Sequence, residues 1–223
     1  HEMDATWDIA QSTISSLTMG ELRALDGQEG ASFYEMLDAQ KMNYGWIEGS
    51  PEFKDEVAKL YDHKVEHRNI LQTNGCTGAN LNALMAVVRP GDHVIAEWPT
   101  YAPLYEIPRT LGAEVEYWQI HEELGWMPDI DELRELVRPN TRLICINNAS
   151  NPVGAVLDAK MLEQIAEIAD SVGAYVLCDE VYLPLENTEG FKSMTDVYDR
   201  SIVTNSVSKT YSAVSYTHLT LPT

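Results

Sequence analysis

The strongest constraint in this chain is a rhythm. From Ser50 to Thr204, short apolar runs alternate with segments of helical periodicity. Ser50 reads as an N-cap and Pro51 as the first helical residue, with Phe53, Val57 and Leu60 on one face at i, i+4, i+7 spacing. Beyond that helix the pattern predicts strands over 70–73, 93–96, 114–120, 143–147, 174–178 and 202–204. Helices are predicted between them over 78–88, 102–111, 130–137 and 159–172. Gly91, Gly112 and Gly173 fall just past helices, where C-caps belong. Strands that alternate with crossover helices build a three-layer α/β domain, a mostly parallel sheet with helices on both faces.

Residues 1–43 are less regular. Helices over 18–25 and 32–39, each opening on a hydroxyl N-cap, make this stretch an arm. Without an internal repeat or low-complexity linker, the remainder reads as one large domain over 44–213.

Charge and cysteine usage narrow the function classes. A net charge of −20 repels nucleic acid and anionic membrane surfaces, so an anionic ligand must be held by local donors. Cys76, Cys145 and Cys178 have no metal-type spacing and fall on apolar patterns, which suggests a reduced protein without structural metal. No apolar run approaches the roughly 20 residues of a membrane span, and a cytoplasmic protein is expected. The chain opens on His1 rather than methionine, which reads as a missing or replaced N-terminus.

In an open α/β sheet the ligand sits at the carboxyl ends of the strands, so the residues just after each strand carry the function. Gly75, Cys76, Thr77 and Gly78 open a helix whose free N–H groups suit a phosphate. Tyr101 can lay its ring on a flat heterocycle, although Trp98 and Tyr105 are equally aromatic neighbours. Pro152 fixes a turn that presents Asn151 as a neutral donor. Asp179 ends an apolar strand, where a carboxylate needs a cation such as a protonated pyridine nitrogen. Tyr182 follows three residues on. Lys209, in Ser206-Val207-Ser208-Lys209, supplies an amine that can attack an aldehyde. Alone, each has an ordinary structural reading. Together they ask for pyridoxal phosphate.

Asn151-Pro152-Val153-Gly154, Asp179-Glu180-Val181-Tyr182 and Ser206-Val207-Ser208-Lys209, in this order and at these separations, resemble the class I/II aminotransferases of the aspartate-aminotransferase fold. Tyr44-Gly45-Trp46-Ile47-Glu48-Gly49 resembles the segment that precedes the family's corresponding helix. The resemblance implies a fold type I enzyme that uses pyridoxal 5'-phosphate to move an amino group between an amino acid and a 2-oxo acid. It implies that Lys209 forms the cofactor aldimine and shuttles the proton, that Asp179 pairs with the ring nitrogen, and that Asn151 and Tyr182 bond the ring oxygen. Tyr101 would stack on the ring. Gly75, Cys76, Thr77 and Ser206 would hold the phosphate, and Tyr44 would reach the phosphate of a second subunit in a homodimer.

The sequence departs from the family after Lys209. The family's phosphate-binding arginine, eight positions on, is Thr217 here, and the small C-terminal domain is absent. Residues 214–223 therefore read as a non-native tail on a truncated, inactive chain. The same residues also serve lyases, decarboxylases and cyclising synthases of this fold, and a non-catalytic binding domain is a further alternative. An effector-sensing half of a transcription regulator would need a basic DNA-binding module, which the acidic arm does not supply.

Overall fold

The structure, a computed structural model, describes residues 12, 14–25, 30–42, 44–62, 65–183 and 192–211. The tail over 214–223 and Thr217 lie outside the described residues.

Two helices of the arm come first, α1 (Met19–Leu25) and α2 (Gly30–Ala39). The Thr18 hydroxyl accepts from Glu21 N at 3.2 Å while Glu21 accepts from Thr18 N at 2.7 Å, a reciprocal cap that fixes the start of α1. Helix α3 (Pro51–Ala58) begins as its sequence dictates, with Ser50 Oγ accepting from Phe53 N at 3.2 Å.

From α4 (Gly75–Val87) the alternation becomes a sheet: β1 (His93–Trp98), α5 (Pro103–Thr110), β2 (Glu114–His121), β3 (Met127–Pro128), α6 (Ile130–Leu136), β4 (Thr141–Asn147), α7 (Ala159–Val172), β5 (Tyr175–Asp179) and β6 (Ser201–Thr204). The strand order is β3-β2-β1-β4-β5-β6. All neighbours are parallel except the two-residue β3, which pairs antiparallel with β2. Helices α4 and α5 cover one face through Leu84, Val87 and Leu104. On the other, α6 and α7 bury Leu133, Leu162 and Ile165 against Ile95, Ile144 and Val176. Strand β1 connects outward to β2, whereas β4 returns to its other side, so the sheet reverses direction between β1 and β4. In open sheets of this kind such a reversal marks the strand carboxyl ends as the place where ligands bind.

Three expectations change. Residues 70–73 are extended chain rather than a strand. Gln72 N donates to Glu48 O at 3.1 Å, and a cavity of ≈ 730 Å³ separates the segment from β6, so no described strand lies close enough to pair with it. Helix α4 begins three residues early because Gly75, at φ 71°, turns the chain sharply into it. Val88 rather than Gly91 caps α4, and Gly91 instead turns the chain toward β1, its N–H on Gly112 O at 2.8 Å. Gly173, at φ 71°, is the predicted C-cap of α7.

Candidate active site

Asp179 is the last residue of β5, 1% exposed, and in register with Asn147 of β4 and Thr204 of β6. Its carboxylate accepts from Asn80 Nδ2 at 2.7 Å, Val181 N at 3.1 Å and Cys76 Sγ at 3.4 Å. Burial pushes the Asp179 carboxyl up from the usual carboxylate range, opposed by the hydrogen bonds from Asn80, Val181 and Cys76. Among the described residues no salt bridge reaches it. A buried carboxylate with only neutral donors retains capacity for a cation.

The N-terminus of α4 lies beside it. Asn74 makes no side-chain capping bond, and Gly75 N–H is taken by Thr73 O at 3.0 Å, so the helix can offer an anion the N–H groups of Cys76 and Thr77. The Cys76 thiol turns toward Asp179, and burial drives its pKa well up, so it stays neutral and donates. Cys76 can therefore offer an anion only its backbone N–H. The Thr77 hydroxyl lies 2.9 Å from Tyr101 OH, which ties the aromatic after β1 to the start of α4.

Beyond β6, Lys209 Nζ lies 6.0 Å from the centre of the Tyr182 ring. Lys209 Nζ and Tyr182 OH both donate to Ser12 Oγ, at 3.2 and 3.1 Å. Asn151 is anchored by its backbone, N to Asn147 Oδ1 at 2.7 Å, and Asn147 Nδ2 holds Asp179 O at 2.8 Å. Ser206 Oγ accepts from Ser208 N at 3.2 Å and shapes the turn that delivers Lys209. The next residue, Thr210, has a buried hydroxyl without a partner among the described residues. Tyr44 is 92% exposed and stands apart from this group.

Three residues, Asn80, Thr204 and Glu97, escaped the sequence reading. Asn80 is fully buried in α4 and bridges Asp179 to Thr204, whose hydroxyl donates to Asn80 Oδ1 at 2.7 Å. Its burial was signalled, an amide in a stripe otherwise made of Cys76, Leu84 and Val87, but the partners it meets were not. Glu97, at the end of β1, accepts from Asn147 N at 3.0 Å, and burial holds its carboxyl neutral up to about pH 8. Among the described residues, no group of three or more His, Cys, Asp or Glu could hold a metal ion, and no helix is long and apolar enough to cross a membrane.

The fold and these groups define a class: a mostly parallel α/β domain that gathers a buried carboxylate, a tyrosine bonded to Thr77 and the start of a helix at the carboxyl ends of its strands, with a lysine just past the last one. The sequence pattern of the aminotransferase class I and II family matches residues 29–216, and the chain belongs to that family. It is 30% identical over 186 residues to an aspartate aminotransferase of Pyrococcus horikoshii, covering 78% of this chain and 48% of that protein. It is 26% identical to the tyrosine aminotransferase of Mus musculus, over 76% of this chain and 39% of that one. Its fold superimposes on a PLP-dependent aminotransferase from Streptococcus suis 89-1591 with a TM-score of 0.91 and 56% identity, over 95% of this chain and 56% of that one. The chain thus spans about half the length of the relatives it matches.

Proposed function

We propose that this chain is the cofactor-binding part of a pyridoxal-phosphate-dependent aminotransferase that moves an amino group between an amino acid and a 2-oxo acid. The observation that supports it most is Asp179, buried at the end of β5 with neutral partners only. Pyridoxal phosphate, when bound, supplies an aldehyde that condenses with amines and a protonated ring that draws electrons from the substrate α-carbon.

The residues fit that group by their chemistry. Lys209 would hold the aldehyde, Asp179 the ring nitrogen, and Asn151 and Tyr182 the ring oxygen. Tyr101 would stack on the ring. Gly75, Cys76 and Thr77, with Ser206, would hold the phosphate by N–H and hydroxyl donors. The Lys209 Nζ would also be the base that takes and returns the proton at the substrate α-carbon. Asp179 would hold its negative charge toward the ring nitrogen and so keep that nitrogen protonated.

Residues 1–43 would form the arm and 44–213 the cofactor-binding domain. The arm leaves Leu22, Leu25, Met36 and Leu37 exposed, as are Trp46 and Ile47 just after it, apolar side chains suited to a second copy of the chain. Homodimerisation through them would let Tyr44 reach the other copy's phosphate. The buried free thiols fit a reducing, cytoplasmic setting. The test is amino transfer by the full-length protein to a panel of 2-oxo acids, lost in Lys209→Ala. Persistence of transfer in that variant would sink the proposal.

A further inference from the structure

The hydrogen-bond chain Thr204–Asn80–Asp179 does more than fill the core. An amide in a buried helical stripe is costly unless both its ends are paired, and asparagine is a poor helix former, so packing alone disfavours it at this position. Both ends are paired here. Asn80 Oδ1 takes the Thr204 hydroxyl at 2.7 Å, and Nδ2 gives its hydrogen to Asp179 Oδ2 at 2.7 Å. The orientation has one sense: an ionised carboxylate only accepts, so the amide must turn its N–H groups toward Asp179.

We propose that Asn80 is a positioning residue, whose amide, locked by Thr204, keeps the Asp179 carboxylate ionised and aimed at the cofactor ring nitrogen. The proposal rests on the reading of Asp179 as partner of that nitrogen. The elements packed around Asp179 present neutral groups: the Cys76 thiol and Asn80 from α4, Asn147 from β4 and Thr204 from β6. Glu180, the next residue, turns away to Ser193 Oγ and Met194 N, at 3.0 and 2.8 Å from its Oε1. Asn80 thus makes the shortest of the side-chain bonds that oppose burial's tendency to neutralise Asp179. Thr204 belongs to the strand that leads into Lys209, so a single amide couples the lysine's strand to the carboxylate.

Without the amide, Asp179 becomes the stronger base and takes the proton that the ring nitrogen should keep. The test uses the full-length protein loaded with pyridoxal phosphate labelled with ¹⁵N in the ring, comparing Asn80→Leu, Thr204→Val and Asp179→Asn. Asn80→Leu is expected to move the ring-nitrogen signal toward the unprotonated position by at least about half the displacement caused by Asp179→Asn. Thr204→Val, which keeps the side-chain shape and removes only the hydroxyl that locks the amide, should give a smaller displacement in the same direction. In the apo-protein, the ¹³C-labelled Asp179 carboxyl should titrate about tenfold less readily in Asn80→Leu, a midpoint roughly one pH unit higher. A signal that moves in Asp179→Asn but in neither of the others overturns the role of Asn80. One that does not move even in Asp179→Asn overturns the reading of Asp179, and the inference with it.

Discussion

Glu97 gives the sharpest quantitative forecast. Its carboxyl is buried at the end of β1 and braces β4 by accepting from Asn147 N at 3.0 Å. Burial raises its pKa from 4.5 to about 8, against a smaller lowering by the Asn147 N–H. Above pH 4.5 the unfolded chain releases this proton while the folded chain keeps it. Stability from this group is therefore fully present below pH 4.5 and falls by about 1.4 kcal/mol per pH unit as pH rises toward 8. Between pH 6 and pH 8 the loss amounts to about 2 kcal/mol, or roughly 4–8 °C in Tm for a domain of this size. Glu97→Gln keeps the acceptor oxygen and the shape but has no proton to lose. Its Tm should exceed that of the parent by several degrees more at pH 8 than at pH 6. Thermal melts of the apo-protein at matched ionic strength read the difference. Glu180, held neutral to about pH 7 by burial, contributes its own alkaline loss, but to both proteins alike. An unchanged Tm gap between the two pH values would refute the reasoning.

Two further outcomes are expected. In the full-length protein, Asp179→Ala should lower turnover at least about 1000-fold, or roughly 4 kcal/mol of transition-state stabilisation, while cofactor retention falls less; turnover within tenfold of the parent removes Asp179 from the mechanism. Ser50→Ala deletes the Oγ that accepts from Phe53 N and should cost about 1 kcal/mol in chemical denaturation with no change in cofactor affinity; an affinity loss would tie the start of α3 to the site.

Much of the architecture was legible because each element carries its own signal. The α7 pattern ends at a glycine that takes up the left-handed turn a C-cap needs, and the apolar runs of β1, β4 and β5 are buried on both faces. The run over 70–73 misled because a strand is a property of a pair: its residues are apolar enough, yet the facing backbone lies across a cavity. In the site, short motifs at strand ends pointed to Asp179 and Lys209. Asn80 and Thr204 stayed hidden for a different reason. They matter through register, Thr204 lying opposite Asp179 and Asn80 one helical turn into α4, and no local pattern encodes a contact across 124 residues of sequence. Glu97 was hidden likewise, since its partner Asn147 lies 50 residues away.

The central claim is that this cleft takes pyridoxal phosphate on one lysine. It is tested most directly by reducing the full-length, cofactor-loaded protein with borohydride, digesting it and locating the label by mass spectrometry. The account predicts one labelled peptide, the one that contains Lys209. A label on any other lysine, or none at all, would contradict it.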